Sequence, residues 1–165
     1  MTRKQIANYL ILLSSISRGK KISVVLAEDD IDDQILFEEA ILEAAIPVDL
    51  KILGDGERLM EYLESVPAVM PDVIFLDLNM PCLNGFECLD LIRKNEKLKS
   101  IPIIIFSTSV NKSDILNTYN KGANLYFPKP YSFHQLVDSL RQLFRMEKEE
   151  FNQRRGIEDF LFQYK

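Results

Sequence analysis

Cysteine and histidine are scarce. The chain has two cysteines, Cys82 and Cys88, and one histidine, His134, at a spacing that matches no common zinc module. The cysteines read as free thiols in a reducing compartment. His134, in the first turn of an expected helix, reads as a solvated side chain rather than a ligand. Positive charge is also in deficit: 20 Lys and Arg against 25 Asp and Glu give a formal net charge of -5, which disfavours a broad nucleic-acid surface, and no direct nucleic-acid partner is expected. Long hydrophobic runs are missing too. Arg3 and Lys4 precede an apolar stretch, but its unbroken part extends only from Tyr9 to Leu13. A secretory h-region needs roughly 7 to 15 apolar residues and a membrane span about 20, and no small-residue cleavage pattern follows. A cytoplasmic protein without a membrane partner is expected.

What is present is the composition of one globular unit: 165 residues, 47% hydrophobic and 27% charged, enough to bury a sizeable single core. Five short apolar runs rich in β-branched residues alternate with longer segments of helical spacing, the pattern of a parallel sheet wrapped by helices. The expected strands are Ile22 to Ala27, Val48 to Leu53, Val73 to Asp77, Ile103 to Phe106 and Asn124 to Phe127. The fold class is therefore α/β, a doubly wound five-stranded parallel sheet with helices on both faces. Asp30 and Asp55 can cap the first two helices, the second carrying Leu59, Leu63 and Val66 at helical spacing. Asn84 with Glu87 and Ser132 with Gln135 have capping-box spacing for the third and fifth. The fourth is expected from Asn111 to Gly122, a glycine placed where the chain turns left-handed. Phe133, Leu136, Val137, Leu140, Leu143 and Phe144 form the apolar stripe of the fifth.

Something lies outside the five units at each end. Ile6, Tyr9, Leu10 and Leu13 form one stripe, and Ile157, Phe160, Leu161 and Tyr164 another, after the charged residues Glu147 to Glu150 and the Gln153-Arg154-Arg155-Gly156 break. The division is an N-terminal amphipathic extension over 1–20, a core domain over 21–146 and a C-terminal amphipathic extension over 147–165. The extensions either cover the domain or each other, or form a homodimer or partner surface.

Ligands of open parallel sheets bind at the carboxyl ends of strands, and the polar residues of this chain gather there. The first strand ends in Glu28-Asp29-Asp30, the third in Asp77-Leu78-Asn79 and the fourth in Ser107-Thr108, while Lys129 follows the fifth. With strand order 2-1-3-4-5 they meet in one crevice. Glu28, Asp29 and Asp77 oppose each other's ionisation unless a cation sits among them. Mg²⁺ suits such a site, because it takes octahedral oxygen ligands from one or two carboxylates, waters and a phosphate oxygen. Acids at a helix start also stabilise the helix by themselves, by roughly 0.3 to 1 kcal/mol. That accounts for Asp30, Asp32 and Asp33, but not for Glu28 and Asp29 beside a buried strand.

From about Lys21 to Phe144 these residues closely resemble the receiver domains of two-component response regulators, which have a flavodoxin-like fold. The family's acidic pair falls on Glu28 and Asp29, and its phosphoacceptor on Asp77 within Phe75-Leu76-Asp77-Leu78-Asn79-Met80-Pro81. Its hydroxyl falls on Ser107, its switch aromatic on Tyr126 and its lysine on Lys129 before Pro130. The resemblance implies Mg²⁺ held by Glu28, Asp29, Asp77 and the Asn79 carbonyl, phosphoryl transfer from a sensor histidine kinase, and a surface that switches toward a downstream protein. It also implies a cis Lys129-Pro130 bond, and Pro128 departs from the usual residue at its place. Lys99-Ser100-Ile101-Pro102 and the segment from Tyr119 to Pro130 look similar to single-domain regulators paired with phytochrome-type kinases. Only about 20 residues follow the fifth helix, too few for a helix-turn-helix output domain, so a stand-alone regulator is expected. Two other functions compete: a docking module that keeps the fold without phosphorylation, and a phosphatase of the haloacid dehalogenase type. The latter wants an acid where Asn79 stands. Cys82 is expected to do no more than pack its loop.

Overall fold

The computed structural model describes residues 21–65, 70–145 and 156–163. The stripe over Ile6 to Leu13, Val66 and Tyr164 lie outside them. Element order is β1 (Ile22–Ala27), α1 (Ile31–Glu43), β2 (Val48–Leu53), α2 (Gly56–Glu64), β3 (Val73–Leu76), α3 (Gly85–Lys94), β4 (Ile103–Ser107), α4 (Lys112–Asn120), β5 (Leu125–Pro128), α5 (Phe133–Leu143) and the short α6 (Ile157–Phe160). The five strands are all parallel, in the order β2-β1-β3-β4-β5.

Strand alternation sorts the core into two layers. Val24, Leu26, Phe75, Ile104 and Phe106 face α1 and α5, where they meet Phe37, Ala40, Ile41, Leu136, Leu140 and Leu143. Val25, Ala27, Ile74, Leu76, Ile103 and Ile105 face the other way, toward Leu59, Leu63, Cys88, Leu89 and Ile92 of α2 and α3. The central strands β3 and β4 are buried along their whole length, as strands covered on both faces must be. Phe37 meets Phe75 and Phe106 edge-on, with ring centroids 5.0 and 5.4 Å away, the geometry that aromatic quadrupoles favour.

The helix starts follow the expected chemistry. Asp30 accepts from the amides of Asp32 and Asp33, Asp55 from Arg58 and Ser132 from Gln135, and Asn84 with Glu87 closes a full capping box. Helix α4 is the exception. Its N-cap Asn111 makes no side-chain cap; instead Ser109 donates to Asp114 Oδ2 at 2.6 Å and accepts from the Asn111 amide. Gly122 has φ +91, as the turn after α4 requires. Arg93 ties the far end of the sheet together, donating to the carbonyls of Gly122, Lys99 and Ile101 and to Asn124 Oδ1.

The C-terminal residues join the sheet. Leu161 bridges Tyr126 in parallel, and the Phe162 amide donates to the Tyr126 carbonyl at 2.8 Å. Leu161 packs against one core layer and Phe162 enters the other, the alternation of extended chain, so the helical stripe expected from Ile157 onward ends with α6 at Phe160. The physical reason is that β5 is an edge strand with unpaired backbone groups, and pairing satisfies them. Phe160→Ala empties a fully buried site in a segment that can detach without opening the central strands. Hydrogen exchange should therefore show the Phe162 amide losing most of its protection while amides of β1 and β3 keep theirs, with a global stability loss below the ~3 to 5 kcal/mol of a central Phe→Ala change.

Candidate functional site

The carboxyl ends of β1, β3, β4 and β5 form one crevice, and the backbone fixes its members before any side chain does. The Asp77 amide donates to the Ala27 carbonyl at 3.0 Å, carrying the β1–β3 ladder one residue past the end of β3. The Lys129 amide donates to the Ser107 carbonyl at 2.8 Å, doing the same for β4 and β5. Gly85 lets the β3–α3 loop fold tightly: its amide donates to the Leu78 carbonyl, and a Cβ there would stand 2.1 Å from the Asp77 carbonyl oxygen.

Glu28 and Asp77 are 1% and 4% exposed, while Asp29 and Asn79 face solvent. Carboxylate oxygens of Glu28, Asp29 and Asp77 lie within 4.8 Å of one another. Lys129 Nζ stands 2.6 Å from Glu28 Oε2, 2.7 Å from Asp33 Oδ2 and 3.9 Å from Asp77 Oδ1, and it lies over the Phe106 ring, 5.5 Å from the centroid. Despite that short separation Glu28 Oε2 accepts no hydrogen bond of good geometry. The Glu28–Lys129 contact is therefore an ion pair with a badly aimed acceptor. Asp77 Oδ1 is better held, by the Leu78 amide at 2.8 Å. Glu28 Oε1 takes the Asp30 amide at 3.2 Å, and Gln34 anchors the Glu28 carbonyl at 2.7 Å.

Burial dominates the electrostatics. It pushes the Glu28 carboxyl up to about 7, against the opposing pull of Lys129. Asp77 is raised for the same reason, with Lys129 and the Leu78 amide opposing and the charge of Asp29 assisting. Burial works to lower the pKa of Lys129, but the hydrogen bond to Asp33 and the close carboxylates of Glu28 and Asp77 outweigh it, and the ammonium is held more firmly than usual. Two acids left short of compensating charge, with a buried oxygen lacking a well-aimed donor, fit a divalent cation.

Ser107 is fully buried at the end of β4. Its Oγ accepts from the Ser109 amide at 3.2 Å. Tyr126 is fully buried as well, its hydroxyl donating to the Ser109 carbonyl at 2.8 Å. Glu28, Asp29, Asp77, Asn79, Ser107 and Lys129 thus stand at or just past the carboxyl ends of strands, and Tyr126 is the second of the four residues of β5. One expectation is corrected: the described residues hold no cis peptide bond, and Lys129-Pro130 is trans. The ladder bond from the Lys129 amide already directs this residue over the crevice, so the less stable isomer is not needed. One residue was missed. Asp33 seemed a helix-start acid, yet its carboxylate binds Lys129 across 96 positions of sequence, a contact that no local pattern signals.

The sheet order and the helices on both faces are those of the flavodoxin-like receiver fold, with an acidic crevice at its strand ends. A family model described as the response regulator receiver domain matches residues 24–141. Response regulator Rcp1 of Synechocystis sp. is 33% identical over 141 residues, which cover 83% of this chain and 86% of Rcp1. Among solved structures, the phosphorylated cyanobacterial phytochrome response regulator RcpA superposes with a TM-score of 0.70 at 33% identity, covering 75% of this chain and 91% of RcpA. The Mn²⁺-bound form of Rcp1 gives 0.67 at 31%, covering 74% and 91%. The chain belongs to the response regulator receiver family of two-component signalling proteins.

Two outcomes follow from the geometry. Gly85→Ala places a methyl group against main-chain atoms of Asp77 and Leu78, and a stability loss of about 2 to 3 kcal/mol is expected in urea unfolding. The raised pKa of Glu28 means that the folded, metal-free protein keeps a proton which the unfolded chain releases near its ordinary value of 4.5. The contribution of Glu28 to stability is then fully present below about pH 4.5, is lost as pH rises toward 7, and levels off above, by roughly 2 to 3 kcal/mol in all. The shift of Asp77 acts in the same direction. Urea midpoints in chelator should drop between pH 5 and 7, and Glu28→Gln should flatten most of that drop.

Proposed function

We propose that Asp77 is the phosphoacceptor of a Mg²⁺-dependent switch, loaded by a sensor histidine kinase in the cytoplasm. The observation that carries this reading is the meeting of Glu28, Asp29 and Asp77 oxygens within 4.8 Å beside the ammonium of Lys129. Glu28, Asp29, Asp77 and the Asn79 carbonyl would hold the ion, which supplies neutralisation of phosphoryl charge when bound. Oδ1 of Asp77 is engaged by the Leu78 amide, which leaves Oδ2 as the attacking atom. It forms a bond to phosphorus as the bond from phosphorus to the donor imidazole breaks, and the imidazole departs with its electron pair. Lys129 exchanges a carboxylate partner for a phosphoryl oxygen, and the Ser107 hydroxyl moves to another.

The same reading makes the chain a signalling switch rather than an enzyme that turns over a small substrate, since Asn79 offers no general acid two residues beyond Asp77. A phosphoryl group that favours one state by about 3 kcal/mol changes the population ratio roughly a hundredfold, and the favoured state pre-exists at low population. A downstream protein reads the change at the surface of α4, β5 and α5, to which the buried Tyr126 belongs. Residues 21–146 carry the switch, with 1–20 and 147–165 as extensions to it.

Intact-mass measurement after incubation with Mg²⁺ and acetyl phosphate tests the assignment. One added phosphoryl group is expected on the wild type and none on Asp77→Ala, and chelator should abolish the label. Equal labelling of both proteins would move the acceptor elsewhere; labelling of neither would favour a docking module that works without phosphate. Lys129→Met should lower the labelling rate by about tenfold or more, the scale of losing one charge-assisted hydrogen bond in the reaction's transition state.

A further inference from the structure

Helix α1 has a covered face and an uncovered one. Phe37, Ala40 and Ile41 are buried in the core, and Asp33 and Gln34 turn to the crevice. On the opposite side Ile31, Ile35 and Leu42 are 68%, 47% and 73% exposed. At about 100° per residue these three positions fall within about 40° of one another, so they form one stripe along the helix. Asp32, Glu38, Glu39 and Glu43 flank it and are exposed, and α1 contains no Lys or Arg. An aligned row of branched aliphatic side chains on a helix surface marks a face that something covers.

The chain itself holds a matching segment. Residues 1–20 contain Arg3, Lys4, Arg18 and Lys20 and no acid at all, together with the apolar stripe Ile6, Tyr9, Leu10 and Leu13. The tether is short. The Ile22 amide donates to the Pro47 carbonyl at 2.9 Å, and Pro47 follows the end of α1 after a tight turn, so the chain preceding β1 meets the fold beside the last turn of α1. Twenty residues span about 30 Å even when helical, and the 13 residues of α1 about 20 Å.

We propose that residues 1–20 bind along α1 of the same molecule, setting their apolar stripe on Ile31, Ile35 and Leu42 and their basic residues against Asp32, Glu38, Glu39 and Glu43. The covered face begins one residue from Asp30 and so adjoins the acidic crevice. The proposal rests on the surface of α1 and not on the role of Asp77, so either can fail alone.

Cross-linking the full-length chain tests it. In a Cys82→Ser background, with Cys88 buried, Leu10→Cys is combined with Ile35→Cys or, as the comparison, with Leu116→Cys, an exposed position on α4 at the other side of the sheet. A short bis-maleimide should close the first pair within a monomer at least about tenfold faster than the second. Changing Arg3, Lys4, Arg18 and Lys20 to Glu should cut that rate by about tenfold, with the thermal midpoint of the domain unchanged. Ile35 and Leu116 are exposed and Leu10 lies outside the described residues, and a thermal midpoint equal to that of the wild type checks that each variant folds. Equal rates for the two pairs, a covalent dimer as the main product, or a rate indifferent to the charge reversal would each overturn the proposal.

Discussion

Two carboxyl groups, Glu28 and Asp77, are held out of water beside one ammonium, and the rest of the site answers to that constraint. Taking a carboxylate from water costs several kcal/mol unless charge and hydrogen bonds replace the lost hydration. Replacement here is incomplete. Lys129 is shared among three acids, Glu28 Oε2 lacks a well-aimed donor, and burial leaves the Glu28 carboxyl with a pKa of about 7. A hydrophobic filling of the same space would be more stable. What the polar arrangement retains is an appetite for positive charge, and under the proposed function a divalent ion would relieve a cost already built into the fold. A phosphoryl group would bring the anionic oxygens that the ion and the lysine lack.

The sheet supplies the spacing that makes this sharing feasible. Adjacent parallel strands run about 4.8 Å apart, and β1 and β3 are neighbours although a strand and two helices separate them in sequence. Their tips therefore place Glu28 and Asp77 one strand spacing apart without any help from the loops. Lys129 starts from β5, two strands from β3, and only a long side chain laid over Phe106 can return from there. Ser107, on the strand between, needs no reach at all. The order of side-chain lengths across the crevice, carboxylate, carboxylate, hydroxyl, lysine, thus follows from strand order.

Much of this was legible in the chain because the governing signals are local. The five strands lie within a residue of their expected positions, and Asp30, Asp55 and Asn84 cap the helices they were expected to cap. Boundaries moved where pairing, not composition, decides them: β4 extends to Ser107 and β5 to Pro128 because these two residues face each other in register. What was not legible depends on distant partners. Asp33 looks like any first-turn acid until Lys129 arrives from the other end of the domain. Arg93 looks like a helix-end cation until its guanidinium is seen binding three carbonyls and an amide oxygen. The extended path of 161–162 along β5 was hidden behind an apparent helical stripe, since an edge needing a partner is a property of the sheet and not of the segment.

That last contact bears on how the site can reach the surface. Ser107 Oγ holds the Ser109 amide, the Ser109 carbonyl holds the Tyr126 hydroxyl, and the Tyr126 ring lies against Phe160 with centroids 6.2 Å apart. Phe160 in turn packs edge-on against Tyr119 of α4, and the Tyr126 carbonyl carries the amide of Phe162. If the Ser107 hydroxyl turns toward a phosphoryl group, it must loosen its hold on the β4–α4 loop, and the loop carries the acceptor of the Tyr126 hydroxyl. A turn of Tyr126 toward solvent would give up its ring contact with Phe160, while Leu161 and the Phe162 amide are tied to the backbone of the same tyrosine. A partner that pairs with this edge of β5 must displace residues 161 and 162 first.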